Sequence, residues 1–132
     1  MISVLIICRR VDNYLIRAIN SVISIKPQVI IDISESSKSN LGERKNRLIK
    51  IAKYEWILVL DTDEVVSKEL LSKIVQIARV SPNEVNGYRI TYQNYIFGRP
   101  VYYGGEKYAR VQLFRKNMAK YAALPIHEYP IV

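Results

Sequence analysis

Two spacings of apolar residues run along this chain, and they divide it into elements. Residues 2–8, ISVLIIC, are an unbroken apolar run rich in β-branched side chains, the pattern of a strand covered on both faces. Asp12 is placed to cap a helix over residues 13–24, where Leu15, Ile16, Ile19, Val22 and Ile23 recur at helical spacing. Pro27 stops that helix, and QVIIDIS predicts a second buried strand. After the polar loop ESSKSN, the stretch LGERKNRLIKIAKY predicts a basic amphipathic helix with Leu48, Ile49 and Ala52 on one side. EWILVL is a third strand. Ser67 then caps a helix over KELLSKIVQIAR, with Val66 and Leu71 spaced as a hydrophobic staple. Beyond VSPNEVNG the period changes again. YRITYQNYIFG and YARVQLFRK are tyrosine-rich and partly alternating, which predicts antiparallel strands.

The order is thus β-α-β-α-β-α with a largely β ending. Two successive βαβ units imply right-handed crossovers and a parallel sheet. Ligands in such sheets bind beyond the carboxyl ends of the strands. Those ends are Arg9 and Arg10, Asp32 to Glu35, and Asp61 to Glu64, so basic and acidic groups are expected along one rim.

Composition narrows the picture only a little. The 132 residues suit a single domain spanning 1–132, and no repeat or Gly/Ser linker marks a boundary. No apolar run approaches the roughly 20 residues that cross a bilayer. The N-terminal MISVLIICRR is too short for a signal peptide and carries its charge on the wrong side, so it reads as the first strand. The single Cys8 excludes an internal disulfide and, inside an apolar run, is expected to be a buried, inert thiol of a reducing compartment. Twenty Lys and Arg against 12 Asp and Glu give a formal charge of +8. That excess favours nucleic acid, acidic membrane or a phosphorylated ligand, and fits a merely soluble surface as well.

The acidic group at the end of the third strand carries the most chemistry. Asp61 and Asp63 stand two apart where a strand opens into a loop, so both carboxylates can turn toward one point. Hard oxygen ligands of this kind suit Mg²⁺ or Mn²⁺ that also holds substrate phosphates. Asp63 and Glu64 equally fit a role as complements to the dipole of the next helix. An EF-hand is excluded, because Val66 occupies its glycine position and Ser72 its twelfth. On the second helix, Arg47 and Lys50 read as a solvated face. Arg44 and Lys45 lie in the first turns, where cations and free amides can meet an anion together. Asp32 is either a nucleobase acceptor or a strand end. In LPIHEY the only histidine, His127, precedes Glu128, a candidate base; spacing leaves both roles open.

Taken in order, these segments resemble the family 2 glycosyltransferases of GT-A fold, and especially the small branch that includes lipopolysaccharide-core transferases. ISVLIICRR resembles that family's opening strand, QVIIDISESS its second strand with the acidic end, and LGERKNRLIKIA its basic helix. YEWILVLDTDEVVSKEL is similar to the region of the D-x-D motif, and NYIFGRPVYYGG, VQLFRK and IHE to later signatures of the branch. The resemblance implies a Rossmann-like, nucleotide-binding α/β fold with a mostly parallel central sheet, flanking helices and antiparallel C-terminal strands. It implies an inverting, divalent-metal-dependent transfer of a sugar from a nucleoside diphosphate sugar to an acceptor hydroxyl.

Residue by residue, the resemblance makes Asp63 a ligand of Mn²⁺ or Mg²⁺, and Asp61 a contact to ribose and metal. Asp32 recognises the base, with Arg9, Arg44 and Lys45 near the nucleotide. Glu128 is the catalytic base and His127 an added metal ligand or acceptor contact. The chain departs from the pattern where DISESS lacks a second Asp, for which Glu35 stands in, and where Lys45-Asn46 replaces Arg-Asn. Relatives extend past the His-Glu element, so acceptor-binding or membrane-docking helices are not expected before Val132. A glycan, lipid-linked or protein acceptor, a cytoplasmic location with peripheral membrane contact, and a homodimer complete the expectation.

Other readings stay in view. A receiver-like domain needs an acidic pair after the first strand, where this chain has Arg9 and Arg10. A sugar nucleotidyltransferase needs a Gly-rich loop there. The main alternative is a non-catalytic nucleotide or nucleic-acid binding α/β module, whose phosphate contacts would weaken steeply with salt and need no metal.

Overall fold

The computed structural model describes residues 1–34, 41–91, 95–96, 99–100, 109–118, 120–121 and 130–131. Strand β1 (Ile2–Cys8) leads through α1 (Asn13–Val22) to β2 (Gln28–Ile33), and through α2 (Leu41–Ile51) to β3 (Trp56–Val59). Helix α3 (Lys68–Val80) is followed by β4 (Gly87–Thr91), the short pair β5 (Tyr95–Ile96) and β6 (Arg99–Pro100), β7 (Ala109–Arg115), and the pair β8 (Lys120–Tyr121) and β9 (Pro130–Ile131). The main sheet has the order β2-β1-β3-β7-β4, with β2, β1 and β3 parallel and β7 antiparallel to both β3 and β4. The parallel start and antiparallel ending therefore match the pattern of apolar residues.

Two cores cover the two faces of this sheet. Alternate residues of β1, Val4, Ile6 and Cys8, pack with Leu15, Ala18 and Val22 of α1 and Leu71 and Ile74 of α3. Leu5 of β1 points the other way, into a core with Ile57, Val59, Phe114 and Leu48, Ile49 and Ala52 at the end of α2. Helices α1 and α3 thus lie on one face and α2 on the other. Each fully buried Leu or Ile in these layers contributes about 1.5–3 kcal/mol of transfer free energy.

Local signals explain the element ends. The Asp12 carboxylate accepts the Leu15 amide at 3.0 Å, and the Ser67 hydroxyl accepts the Leu70 amide at 3.1 Å, so both predicted caps form. Val66 and Leu71 join one core, as the staple spacing requires. Helix α1 stops at Val22 rather than at residue 24. A 3₁₀ turn over Ile23–Ile25 follows, and Lys26 turns left-handed (φ 52°) before Pro27. Ile16 and Ile23, expected on the buried side of α1, are 48% and 50% exposed, and Ala18 fills the buried stripe instead. Helix α2 ends at Ile51 rather than continuing to residue 54. Past Ala52 the amides are claimed elsewhere: Lys53 N–H goes to Gln28 Oε1 at 2.6 Å and Tyr54 N–H to Ser3 Oγ at 3.2 Å.

One expectation about the sheet is corrected. Strand β2 is half-buried rather than buried, because it pairs with β1 alone among the described residues and stands at the sheet's edge. Cys8 is buried, as expected, and its thiol is pushed up first by burial and then by the negative charges of Asp12 and Asp32. No helix among the described residues is long and apolar enough to cross a membrane.

Candidate functional site

The parallel register decides what meets at the carboxyl ends. Asp32 of β2 pairs with Ile7 of β1, while Val59 of β3 pairs with Leu5 on the other side. The ladder runs one step further at each edge, with Ser34 N–H bonded to Cys8 O and Leu60 N–H to Leu5 O, both at 3.0 Å. Asp61 therefore leaves β3 on the same rim that carries Asp32 and, after Cys8, the exposed Arg9 and Arg10. Strands β2 and β3 flank β1, so their ends stand about 10 Å apart. Because α1 and α2 depart to opposite faces, this rim is the crevice in which open α/β sheets take their ligands.

On the β2 side, Arg44 Nε donates to Asp32 Oδ2 at 2.9 Å. The arginine side chain is only 6% exposed and the aspartate 26%, so the pair is largely desolvated. The hydrogen bond from Arg44 is the largest influence on Asp32 and holds its carboxyl below the usual value; partial burial opposes this, and the charges of Arg44 and Arg47 add to it. Among the described residues, Arg44 Nη2 is buried without a hydrogen-bond partner. A guanidinium N–H left this way is costly unless something arrives to accept it. Lys45, beside it, is buried as well, whereas Arg47 and Lys50 are exposed as expected.

The β3 side is a tight turn. Glu64 N–H returns to Asp61 O at 3.0 Å, and Asp61 N–H is accepted by Glu64 Oε1 at 2.8 Å. Gln112 Nε2, from β7, donates to Glu64 Oε1 at 3.0 Å and to Val59 O at 2.9 Å. Asp61 and Thr62 are half-buried, and Asp63 is exposed. Helix α3 begins only at Lys68, with Glu69 as the acid of its first turn. Asp63 and Glu64 therefore stand before the helix and are not its dipole complements. The three acids also divide: Glu64 is taken up inside the turn, which leaves Asp61 and Asp63 as the candidate metal pair. Among the described residues no three His, Cys, Asp or Glu side chains gather around one point. Two carboxylates suffice for a cation that takes its remaining ligands from phosphates and water.

Asp32, Arg44, Lys45, Asp61, Asp63 and Arg9 are thus all placed at the carboxyl-end rim or on the helix packed beside it. Glu35, His127 and Glu128 lie outside the described residues. Sequence reasoning missed two things. One is the burial of Arg44 and Lys45, although both stand four residues before Leu48 and Ile49 and so share their face. The other is Gln112, whose signal is a polar residue inside the apolar run VQLF.

Comparison with curated proteins returns no match. The family model for glycosyl transferase family 2 matches residues 24–127, which include β2, the Asp32–Arg44 pair, the acidic turn and β7. That match covers most of the chain and agrees with a mixed five-stranded sheet carrying helices on both faces and polar groups along its carboxyl-end rim. This protein belongs to glycosyl transferase family 2, with a GT-A-like fold.

Proposed function

We propose that this glycosyltransferase moves a sugar from a nucleoside diphosphate sugar to an acceptor hydroxyl with inversion, and that it does so with Mn²⁺ or Mg²⁺. The observation that carries the reading is the pairing, across β1, of a buried cation with an unfilled donor and an acidic turn. Arg44 Nη2 lacks an acceptor on one side, and Asp61 and Asp63 stand on the other. A nucleoside diphosphate has the complementary groups: a base and ribose rich in acceptors, and phosphates that need cations.

In this reading Asp32, kept ionised by Arg44, accepts from the base, and Arg44 Nη2 donates to the nucleotide. Lys45 and Arg9 add positive charge near it. Asp61 meets the ribose and, with Asp63, holds the metal. A bound divalent ion would neutralise charge on the departing diphosphate and so favour its release. Glu128 takes the proton from the acceptor hydroxyl as that oxygen attacks the face opposite the diphosphate, a contribution of roughly 10²–10⁴-fold. His127 is an added metal ligand or acceptor contact. The acceptor is a glycan, lipid or protein, in keeping with the branch of lipopolysaccharide-core transferases. The charge of +8 favours a peripheral position on an anionic cytoplasmic leaflet, where each Lys or Arg contributes about 1 kcal/mol. A homodimer completes the proposal.

The test is thermal-shift titration with a panel of nucleoside diphosphates, with and without Mn²⁺. Stabilisation that needs the metal in the wild type and vanishes in Asp63→Ala is the expected result. Equal donor affinity in Asp63→Ala removes the metal role. Binding without metal that collapses steeply with salt would point instead to a non-catalytic nucleic-acid module.

A further inference from the structure

Gln112 is a buried polar side chain on β7, only 6% exposed, in a strand otherwise built from apolar residues at this level. The pairing between β4 and β7 passes over it: Tyr88 faces Leu113, and the next residue, Arg89, faces Val111. Gln112 is therefore the extra residue of a bulge, the device by which a sheet re-aims one side chain out of its alternation. On the other side, the ladder between β3 and β7 ends at Leu58 and Leu113. The side chain of Gln112 continues where the ladder stops, donating from Nε2 to Val59 O at 2.9 Å.

The second hydrogen of the same amide reaches Glu64 Oε1 at 3.0 Å. Both partners are pure acceptors, so the nitrogen and not the oxygen of the amide must face them. Glu64 Oε1 also receives the Asp61 amide at 2.8 Å. One carboxylate oxygen thus joins the first residue of the acidic turn to the antiparallel half of the sheet.

We infer that Gln112 is a positioning residue for sugar transfer: acting through Glu64, it fixes the backbone that carries Asp61 and Asp63. The inference rests on the proposed metal-dependent reaction for its purpose, though not for its geometry. Bulge and side chain together anchor the turn on the β7 side, where the β3–β7 ladder has ended. Glu64 accordingly works as a brace, its Oε1 accepting from both the Asp61 amide and the Gln112 side chain.

The test uses the full chain and Mn²⁺ alone, followed by loss of the free-ion electron paramagnetic resonance signal, together with hydrogen exchange at the Asp61 amide. Gln112→Met keeps the length of the side chain and loses both donors. Its Mn²⁺ affinity is expected to fall about 10–100-fold, the usual effect of removing a partner of a metal ligand. Asp61 exchange should quicken by at least about tenfold, since its opening becomes easier. Glu64→Ala approaches the same bond from the turn and should give both changes, and the double variant should be no worse than the poorer single one. A folded Gln112→Met with unaltered Asp61 exchange and Mn²⁺ affinity overturns the inference. Should Gln112→Met not fold, unaltered Asp61 exchange in Glu64→Ala overturns it equally. Wild-type chain that binds no Mn²⁺, with or without UDP, would instead refute metal-dependent transfer, and the amide exchange alone then decides whether the brace exists.

Discussion

Removing the carboxylate of Asp32 should cost far more stability than removing the arginine it holds. In Asp32→Ala, the buried Arg44 keeps its charge and loses the acceptor of Nε while Nη2 already lacks one. Breaking a buried pair in this direction costs about 3–5 kcal/mol. Asp32 is 26% exposed, so water reaches the vacated space and the expected loss is nearer 2–3 kcal/mol. Arg44→Met instead removes the buried cation and fills its path with hydrocarbon, leaving Asp32 to hydrate. That exchange should stay within about 1 kcal/mol of wild type. Urea unfolding at pH 7 measures the difference, followed by fluorescence of Trp56, the single tryptophan, which is buried at the far end of the sheet. With a slope of about 1.5 kcal/mol per molar urea, the Asp32→Ala midpoint falls by roughly 1.3–2 M. The double variant should return close to Arg44→Met. Equal losses in the two single variants would refute the argument, because they would mean that Arg44 is not penalised for being left alone.

Other expectations follow from neighbouring contacts. Acidification should expose the Asp32–Arg44 pair: a carboxyl depressed in the folded state stabilises it above the unfolded value of about 4, and that stabilisation is lost as pH falls through the lower folded value. Melting temperature against pH should therefore show a shallower acid limb in Asp32→Asn than in wild type, and superimposable limbs would contradict this. At the opposite rim Arg115 lies 4.5 Å over the Trp56 ring, donates to Val85 O at 2.9 Å and Ser81 Oγ at 3.1 Å, and also contacts Pro82 O and Glu55. Arg115→Met should lose about 1–3 kcal/mol, since it removes the donor of several half-buried acceptors at once; a loss below about 0.5 kcal/mol by circular dichroism would show that solvent replaces it. Glu128→Gln should bind donor normally and transfer sugar about 10²–10⁴-fold more slowly. Full turnover in that variant would put the base elsewhere.

The sequence announces what is local and period-bound. The run at residues 2–8 becomes β1 without change, and the caps at Asp12 and Ser67 form where their spacing places them. Position in the sheet is another matter. QVIIDI has the composition of an interior strand, yet β2 is at the edge, because strand order depends on crossovers and not on the strand's own residues. The site divides in the same way. Asp61 and Asp63 declare themselves by following an apolar run. The contact between Glu64 and Gln112 is invisible until segments 48 residues apart are laid together. Arg44 and Lys45 occupy an intermediate place: their charge suggests solvent, and only their phase with Leu48 and Ile49 reveals an inward face.

The seat of β7 between β3 and β4 has a consequence for synthesis on the ribosome. Strands β1, β2 and β3 can assemble from contiguous chain, but the outer edge of β3 acquires its partner only when residues 109–115 emerge. At about 5–20 residues per second, translation leaves that edge waiting for several seconds. Throughout the wait Trp56–Val59 offers bare peptide groups and apolar side chains to any passing strand, so the nascent chain is most prone to mispairing just before its last sheet partner arrives.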